Sequence, residues 1–232
     1  MTRQGAHSAV WTTALTEKLE NRTARVSVIG LGYVGLSLAM ELAKAGFEVR
    51  GVDLDLERVS LLNQGQSYLV DVPTEALRPV VASKRLTASV SFADAATSDA
   101  LIICVPTPLR KSKEPDISFI LSAVESLLPH LRPGQLLILE STTYPGTTEE
   151  VVQPKLEAHG LVIGRDCFLA FSPERVDPGN KRFTTANIPK VVGGVTPSCT
   201  RLAAALYRQV TSSVFEVSSP RVAETAKLLE NT

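Results

Sequence analysis

The sequence predicts an α/β fold: a doubly wound, mostly parallel β-sheet with helices on both faces, followed by the start of a long linking helix. Three observations predict it. Short runs rich in aliphatic residues alternate with segments of helical periodicity along most of the chain. Several of the runs are almost wholly apolar, as strands covered on both faces must be. A glycine-rich turn joins the first strong strand candidate to the first amphipathic helix.

In chain order, residues 1–24 read as a polar lead-in, with a short helix at 14–20. Strand candidates follow at 25–29, 48–52, 100–105, 135–139, 168–171, 190–192 and 213–217. Helical patterns lie between them at 34–45, 56–64, 74–82, 117–128, 147–159 and 197–209. A last helix opens in "SSPRVAETAKLLENT", with Ser219 as its cap and Pro220 at its first position. No Gly or Pro stop follows, so the chain reads as cut inside that helix. The expected division is a lead-in at 1–24, a dinucleotide-type domain at 25–217, and the start of a linking helix at 218–232.

Composition narrows the function classes. The 232 residues are 44% hydrophobic and 21% charged, with 24 Lys+Arg against 24 Asp+Glu. A net charge of zero argues against a sequence-independent grip on nucleic acid or an anionic membrane. No apolar run approaches a membrane span, and the N-terminus lacks the layout of a signal peptide. Cys104, Cys167 and Cys199 are too few and too scattered for a disulfide framework or a zinc cluster. No metal site is expected, and the simplest compartment is the cytoplasm.

Gly30, Gly32 and Gly35 have G-x-G-x-x-G spacing between the strand "VSVI" and the helix "YVGLSLAMELAKAG". Gly30 makes the tight turn, Gly32 lets the backbone approach a pyrophosphate, and Gly35 lets helix and strand pack closely. The helix N-terminus at Tyr33 and Val34 turns first-turn N–H groups and a positive dipole end to the phosphates. The next strand ends in Asp53, placed to accept bonds from ribose hydroxyls and to repel a 2′-phosphate. The expected domain is Rossmann-like, with NAD rather than NADP as cofactor.

Further motifs arrive in a fixed order: "GLGYVGL", "CVPTP", "ESTTYPGTTEE", "FSPERVDPGN", "KVVGG" and "AETAKLLENT". In these the chain resembles the nucleotide-sugar 6-dehydrogenases (UDP-glucose/GDP-mannose dehydrogenases) from Arg25 to Thr232, and within them most the UDP-N-acetylglucosamine branch. The resemblance implies oxidation of a C6 alcohol of a UDP-sugar to a carboxylate by two NAD⁺, through a thiolate-bound intermediate. It also implies polysaccharide biosynthesis as the setting and dimers built through the central helix.

The resemblance assigns residues as follows. Val105, Pro106 and Thr107 lie along the NAD; on spacing alone the two prolines equally well shape a turn. Thr143 takes the place of a family threonine that helps hold a water at the reacting centre. Thr142 is the adjacent hydroxyl with which it could exchange roles, and helix capping at Thr147 would account for one of these side chains. Glu174 matches a glutamate implicated in water-mediated proton transfer, for which a raised pKa near a dry nicotinamide is apt. Otherwise a loop Glu-Arg pair is a solvated ion pair. Some members carry a second glutamate where this chain has Pro178, and Asp177 is a weak substitute. Lys227 and Asn231 stand four apart on the last helix, so both project from one face and can donate together to an oxyanion. Spacing alone also fits a surface lysine and a helix-ending asparagine.

The family's nucleophilic cysteine lies beyond the segment present, and the chain's own three read as inert. The chain is therefore expected to bind NAD and to turn over little or no sugar nucleotide. Two other readings fit parts of the pattern: a β-hydroxyacid-type NAD dehydrogenase, and a non-catalytic NAD-binding or assembly module.

Overall fold

The computed structural model describes residues 3–108, 115–174 and 188–230. Its centre is an eight-stranded sheet made of β1 (Arg25–Ile29), β2 (Glu48–Val52), β3 (Leu86–Ser89), β4 (Ala100–Ile103), β5 (Gln135–Leu139), β6 (Cys167–Phe171), β7 (Lys190–Gly194) and β8 (Val214–Val217). The spatial order is β3-β2-β1-β4-β5-β6-β7-β8. The first six strands are mutually parallel in the 3-2-1-4-5-6 order of dinucleotide-binding folds, and the chain reverses its direction of winding between β1 and β4. β7 runs antiparallel to β6, and β8 is parallel to β7.

Burial follows the composition of the strands. All residues of β4, β5 and β6 are buried, because helices cover both faces of the sheet. These helices are α1 (Arg3–Glu20), α2 (Tyr33–Lys44), α3 (Leu56–Asn63), α4 (Thr74–Ala82), α5 (Ser118–Leu127), α6 (Gln153–Ala158), α7 (Pro197–Tyr207) and α8 (Pro220–Glu230). No described helix is long and apolar enough to cross a membrane.

Three local features differ from the sequence reading. The strand β3 was not anticipated; its four residues, "LTAS", carry one buried aliphatic and pair on one side only with β2. The helix expected at 14–20 extends from Arg3. Trp11, Leu15 and Leu19 recur every four residues and form its inner stripe, with Leu15 and Leu19 buried in the core. Trp11 packs so closely on Gly134 that a Cβ there would lie 2.5 Å from the indole. Finally, the helix expected at 147–159 opens as a wide π-type turn over Thr147–Val152 before α6. Pro154 has no N–H for the carbonyl four residues back, which favours such a change of register.

The lead-in helix is also tied electrostatically. Lys18 donates to Asp99 at 2.8 Å, and Asp99 further accepts from the Arg25 backbone N–H at 3.0 Å and from Arg132 at 3.3 Å. Burial alone would raise the Asp99 carboxyl, but these bonds outweigh it and hold the group below its ordinary value.

Candidate functional site

The glycine turn lies at the C-terminal end of β1, beside the end of β4, where an open α/β sheet leaves a crevice. Gly30 has φ +90°, and a Cβ on it would lie 2.7 Å from the Cys104 carbonyl oxygen. A Cβ on Gly35 would lie 1.8 Å from the Gly30 oxygen, so α2 rests directly on the turn. Gly32 is different: nothing stands within 4 Å of where its Cβ would be. It precedes α2 with no side-chain cap, so the first-turn N–H groups at Tyr33 and Val34 face a space that a phosphate can enter. The three glycines therefore divide as packing, packing and open cradle, which fits a dinucleotide.

Asp53 follows β2 and is bonded into the same turn. One oxygen accepts the Leu31 N–H at 2.6 Å, and the other accepts the Asp55 N–H at 2.9 Å. A carboxylate has about four acceptor positions, so capacity remains for ribose hydroxyls. Arg58 stands 3.6 Å from Asp53 and 3.4 Å from Asp55, with its guanidinium 5.9 Å above the Tyr68 ring. The Tyr68 hydroxyl donates to the Leu31 carbonyl at 2.7 Å; burial, then the Asp53 charge, push this phenol above its ordinary value.

On the other side of the crevice, Val105, Pro106 and Thr107 follow β4. Val105 and Thr107 are half-buried and Pro106 is exposed, while the Ser141 hydroxyl fixes this turn by donating to the Val105 carbonyl at 2.8 Å. After β5, Thr142 is exposed, whereas Thr143 is buried with its hydroxyl bonded to that of Thr147. The Thr147 hydroxyl also donates to the Tyr144 carbonyl at 2.9 Å. Thr143 is thus partly engaged within its own turn.

The helix N-terminus beyond this turn does not stand open to a ligand as that of α2 does. Glu224, fully buried on α8, accepts from the Gly146 N–H at 2.5 Å, the Thr148 N–H at 3.0 Å and the Thr148 hydroxyl at 2.7 Å. This carboxylate fills the anion position of the 147–152 turn and locks α8 to it. Lys227 lies three residues further along the same helix face and is half-buried. Asn231, Asp177 and Pro178 lie outside the described residues.

Glu174, after β6, is buried rather than solvated, and one of its partners is an unforeseen one. Lys190, at the start of β7, donates to Glu174 at 2.9 Å and also to Glu140, the residue that follows β5. The Tyr207 hydroxyl on α7 donates to the other oxygen of Glu140, and the Lys190 ammonium lies 5.3 Å from the Tyr207 ring centre. Lys190, Glu140 and Tyr207 are essentially inaccessible. Burial pushes Glu140 well above the carboxylate range; Lys190 pulls it back in part and Glu174 pushes it further. Burial would lower the lysine, but the two glutamates outweigh it and hold the amine in its charged form.

The three cysteines are buried. Burial, then the Glu140 charge, push the Cys104 thiol well above its ordinary value, and burial pushes Cys167 up to about 12. Cys199 accepts from the Leu169 N–H at 3.3 Å and lies 3.1 Å from the Thr196 hydroxyl. None has the exposed, electropositive setting of a nucleophile.

Residues 24–211 match the model of the UDP-glucose/GDP-mannose dehydrogenase family, NAD binding domain. The chain belongs to this family. It is 39% identical over 210 residues to the UDP-N-acetyl-D-glucosamine 6-dehydrogenase of Pseudomonas aeruginosa, which covers 90% of this chain and 49% of that protein. It is 36% identical over 213 residues to the UDP-N-acetyl-D-mannosamine dehydrogenase of Yersinia pestis, covering 89% of this chain and 50% of the relative. Among solved structures, the UDP-N-acetyl-mannosamine dehydrogenase Cap5O from Staphylococcus aureus has a TM-score of 0.84 at 35% identity, over 90% of this chain and 50% of that one. The chain spans about half the length of the curated relatives it matches.

For this member of the UDP-glucose/GDP-mannose dehydrogenase family, the expected fold, family and NAD cofactor all stand. The parallel strands bring Gly30, Gly32, Gly35, Asp53 and Val105–Thr107 to one edge of the sheet, with Thr143 and Glu174 following neighbouring strands along it. Sequence reasoning missed Arg58, Tyr68, Glu140, Lys190, Tyr207 and Glu224. Three of these had a local signal: Glu140 opens "ESTTYPG", Lys190 opens "KVVGG", and Glu224 stands in "AETAK".

Proposed function

We propose that the chain forms the NAD-holding half of a UDP-sugar 6-dehydrogenase that oxidises the C6 alcohol of a UDP-N-acetylhexosamine, UDP-N-acetylglucosamine first among them, to the uronate. The observation that carries this reading is the open cradle at Gly32 between Asp53 and the β4 turn, on the edge that also bears Glu174. When bound, NAD⁺ accepts hydride from the sugar carbon.

The chain's own residues then divide the remaining work. The first-turn N–H groups of α2 hold the pyrophosphate, and Asp53 accepts from the adenosine ribose. Glu174 takes up the alcohol proton through a water that Thr143 helps to hold. Lys227, together with Asn231, donates to the oxygen as negative charge develops on it. The second oxidation needs a thiolate, and the buried cysteines of this chain do not supply one. The chain alone therefore binds NAD without sustained turnover, and the setting is cytoplasmic polysaccharide biosynthesis.

The test is titration calorimetry with NAD⁺ and NADP⁺, followed by an NADH assay with UDP-N-acetylglucosamine and UDP-N-acetylmannosamine. We expect saturable NAD⁺ binding, weaker NADP⁺ binding, and no sustained NADH formation until the chain is joined to a sugar-nucleotide domain. Failure to bind NAD⁺, or steady turnover by the chain alone, refutes this account.

A further inference from the structure

The buried group Glu140–Lys190–Glu174–Tyr207 has no evident purpose as a stabilising device. A buried ion pair contributes little more than apolar side chains of the same volume, because desolvation of the charges offsets their attraction. Among the described residues, the one ammonium of Lys190 serves the carboxyl groups of both Glu140 and Glu174 at the sheet edge. Its position is set by the antiparallel pairing of β6 and β7. Phe171 pairs with Gly193, so continuing that register brings Glu174 opposite Lys190. From the other side, Lys190 is held by Glu140, which in turn accepts from Tyr207.

We propose that Lys190 is the positioning residue for Glu174: backed by Glu140 and Tyr207, its ammonium fixes the Glu174 carboxylate, ionised, at the C-terminal edge of the sheet. The inference rests on the reading of Glu174 as the residue that moves the alcohol proton. Among the described residues, the charged and titratable groups around it are Cys104 after β4, Glu140 after β5, Lys190 on β7 and Tyr207 on α7. The helix α8, packed against β6 and β7, carries Glu224, which is committed to the 146–148 turn, and the half-buried Lys227. The Lys190 ammonium favours the ionised form of Glu174, an effect that arginine keeps and methionine loses.

The experiment follows the side-chain carboxyl carbon of Glu174 by NMR in the ¹³C-glutamate-labelled chain, with Glu174→Gln assigning the resonance. We expect Lys190→Met to raise its titration midpoint by about one pH unit or more, and Lys190→Arg to leave it nearly unchanged. An unchanged or lowered midpoint in Lys190→Met overturns the proposal, as does a shift in Lys190→Arg as large as that in Lys190→Met. If Lys190→Met fails to fold, Lys190→Gln, which keeps a polar side chain without the charge, decides in its place by the same criterion. In the complete dehydrogenase the acid limb of kcat should move in the same directions, with KM for NAD⁺ within about twofold. Full kcat in Glu174→Gln would refute the proton-transfer role itself, an outcome separate from the titration result.

Discussion

Alanine at Gly35 and alanine at Gly32 separate the two tasks that the glycine turn combines. At Gly35 the new Cβ would sit 1.8 Å from the Gly30 oxygen, 2.9 Å from its carbonyl carbon and 3.3 Å from the Cys104 Cβ. The first two obstacles are backbone, so no side chain can swing away, and α2 must move off β1 by about an ångström or more to restore ordinary contact. Overpacking of this kind costs about 1–3 kcal/mol, against a gain of up to about 1 kcal/mol from helix propensity. A net loss of about 1–2 kcal/mol lowers Tm by about 2–8 °C in a domain of this size. At Gly32 the Cβ meets nothing within 4 Å, and φ −68° with ψ −163° suits alanine. Stability should then stay within about 0.5 kcal/mol of the parent. The methyl group instead projects where the pyrophosphate approaches, and NAD⁺ affinity should fall at least about tenfold. Thermal unfolding and titration calorimetry on both variants make the comparison. A Gly35→Ala chain as stable as the parent, or a Gly32→Ala chain that binds NAD⁺ normally, would refute the reasoning.

Asp53→Asn should weaken NAD⁺ about 10- to 100-fold, the loss of charge-assisted bonds, and narrow the preference over NADP⁺ because the charge that repels a 2′-phosphate is gone and Arg58 loses one of its two carboxylate partners; calorimetry with both cofactors tests it. Asp99→Asn should destabilise the fold by about 1–3 kcal/mol at neutral pH. Because the folded-state pKa of Asp99 is lowered, its contribution is present above the unfolded value near about 3.9 and fades as pH falls through the folded value, so the Tm difference should close in acid. Glu224→Gln sets an amide N–H against at least one of the three donors in the 146–148 turn and should cost about 1–3 kcal/mol. Hydrogen exchange should show faster opening at Gly146 and Thr148, and unchanged protection there would contradict the clamp.

Legibility in the sequence followed the distance over which each feature is decided. The glycine turn, the helix after it and Asp53 occupy one contiguous strand–turn–helix–strand unit, so spacing and periodicity sufficed to read them. Trp11, Leu15 and Leu19 carried a helical stripe as well, but the polar residues between them obscured it. β3 was illegible because a four-residue edge strand has too little apolar pattern to distinguish it from a turn. Glu174 drew attention through its motif, yet its burial was not foreseeable, since its partner Lys190 stands sixteen residues away across the β6–β7 pairing.

By itself, then, the sequence determined a doubly wound NAD-binding domain of the UDP-glucose/GDP-mannose dehydrogenase family, with Gly32 and Asp53 in one strand–turn–helix–strand unit. Only the tertiary structure decided which charges meet. The reversal of β7 brings Lys190 to Glu140 from 50 positions away, α7 brings Tyr207 from 67, and α8 brings Glu224 to Gly146 from 78. The physical reason is that strand and helix propensities act over a few residues, whereas a buried charge is tolerated only where the completed fold supplies its partner.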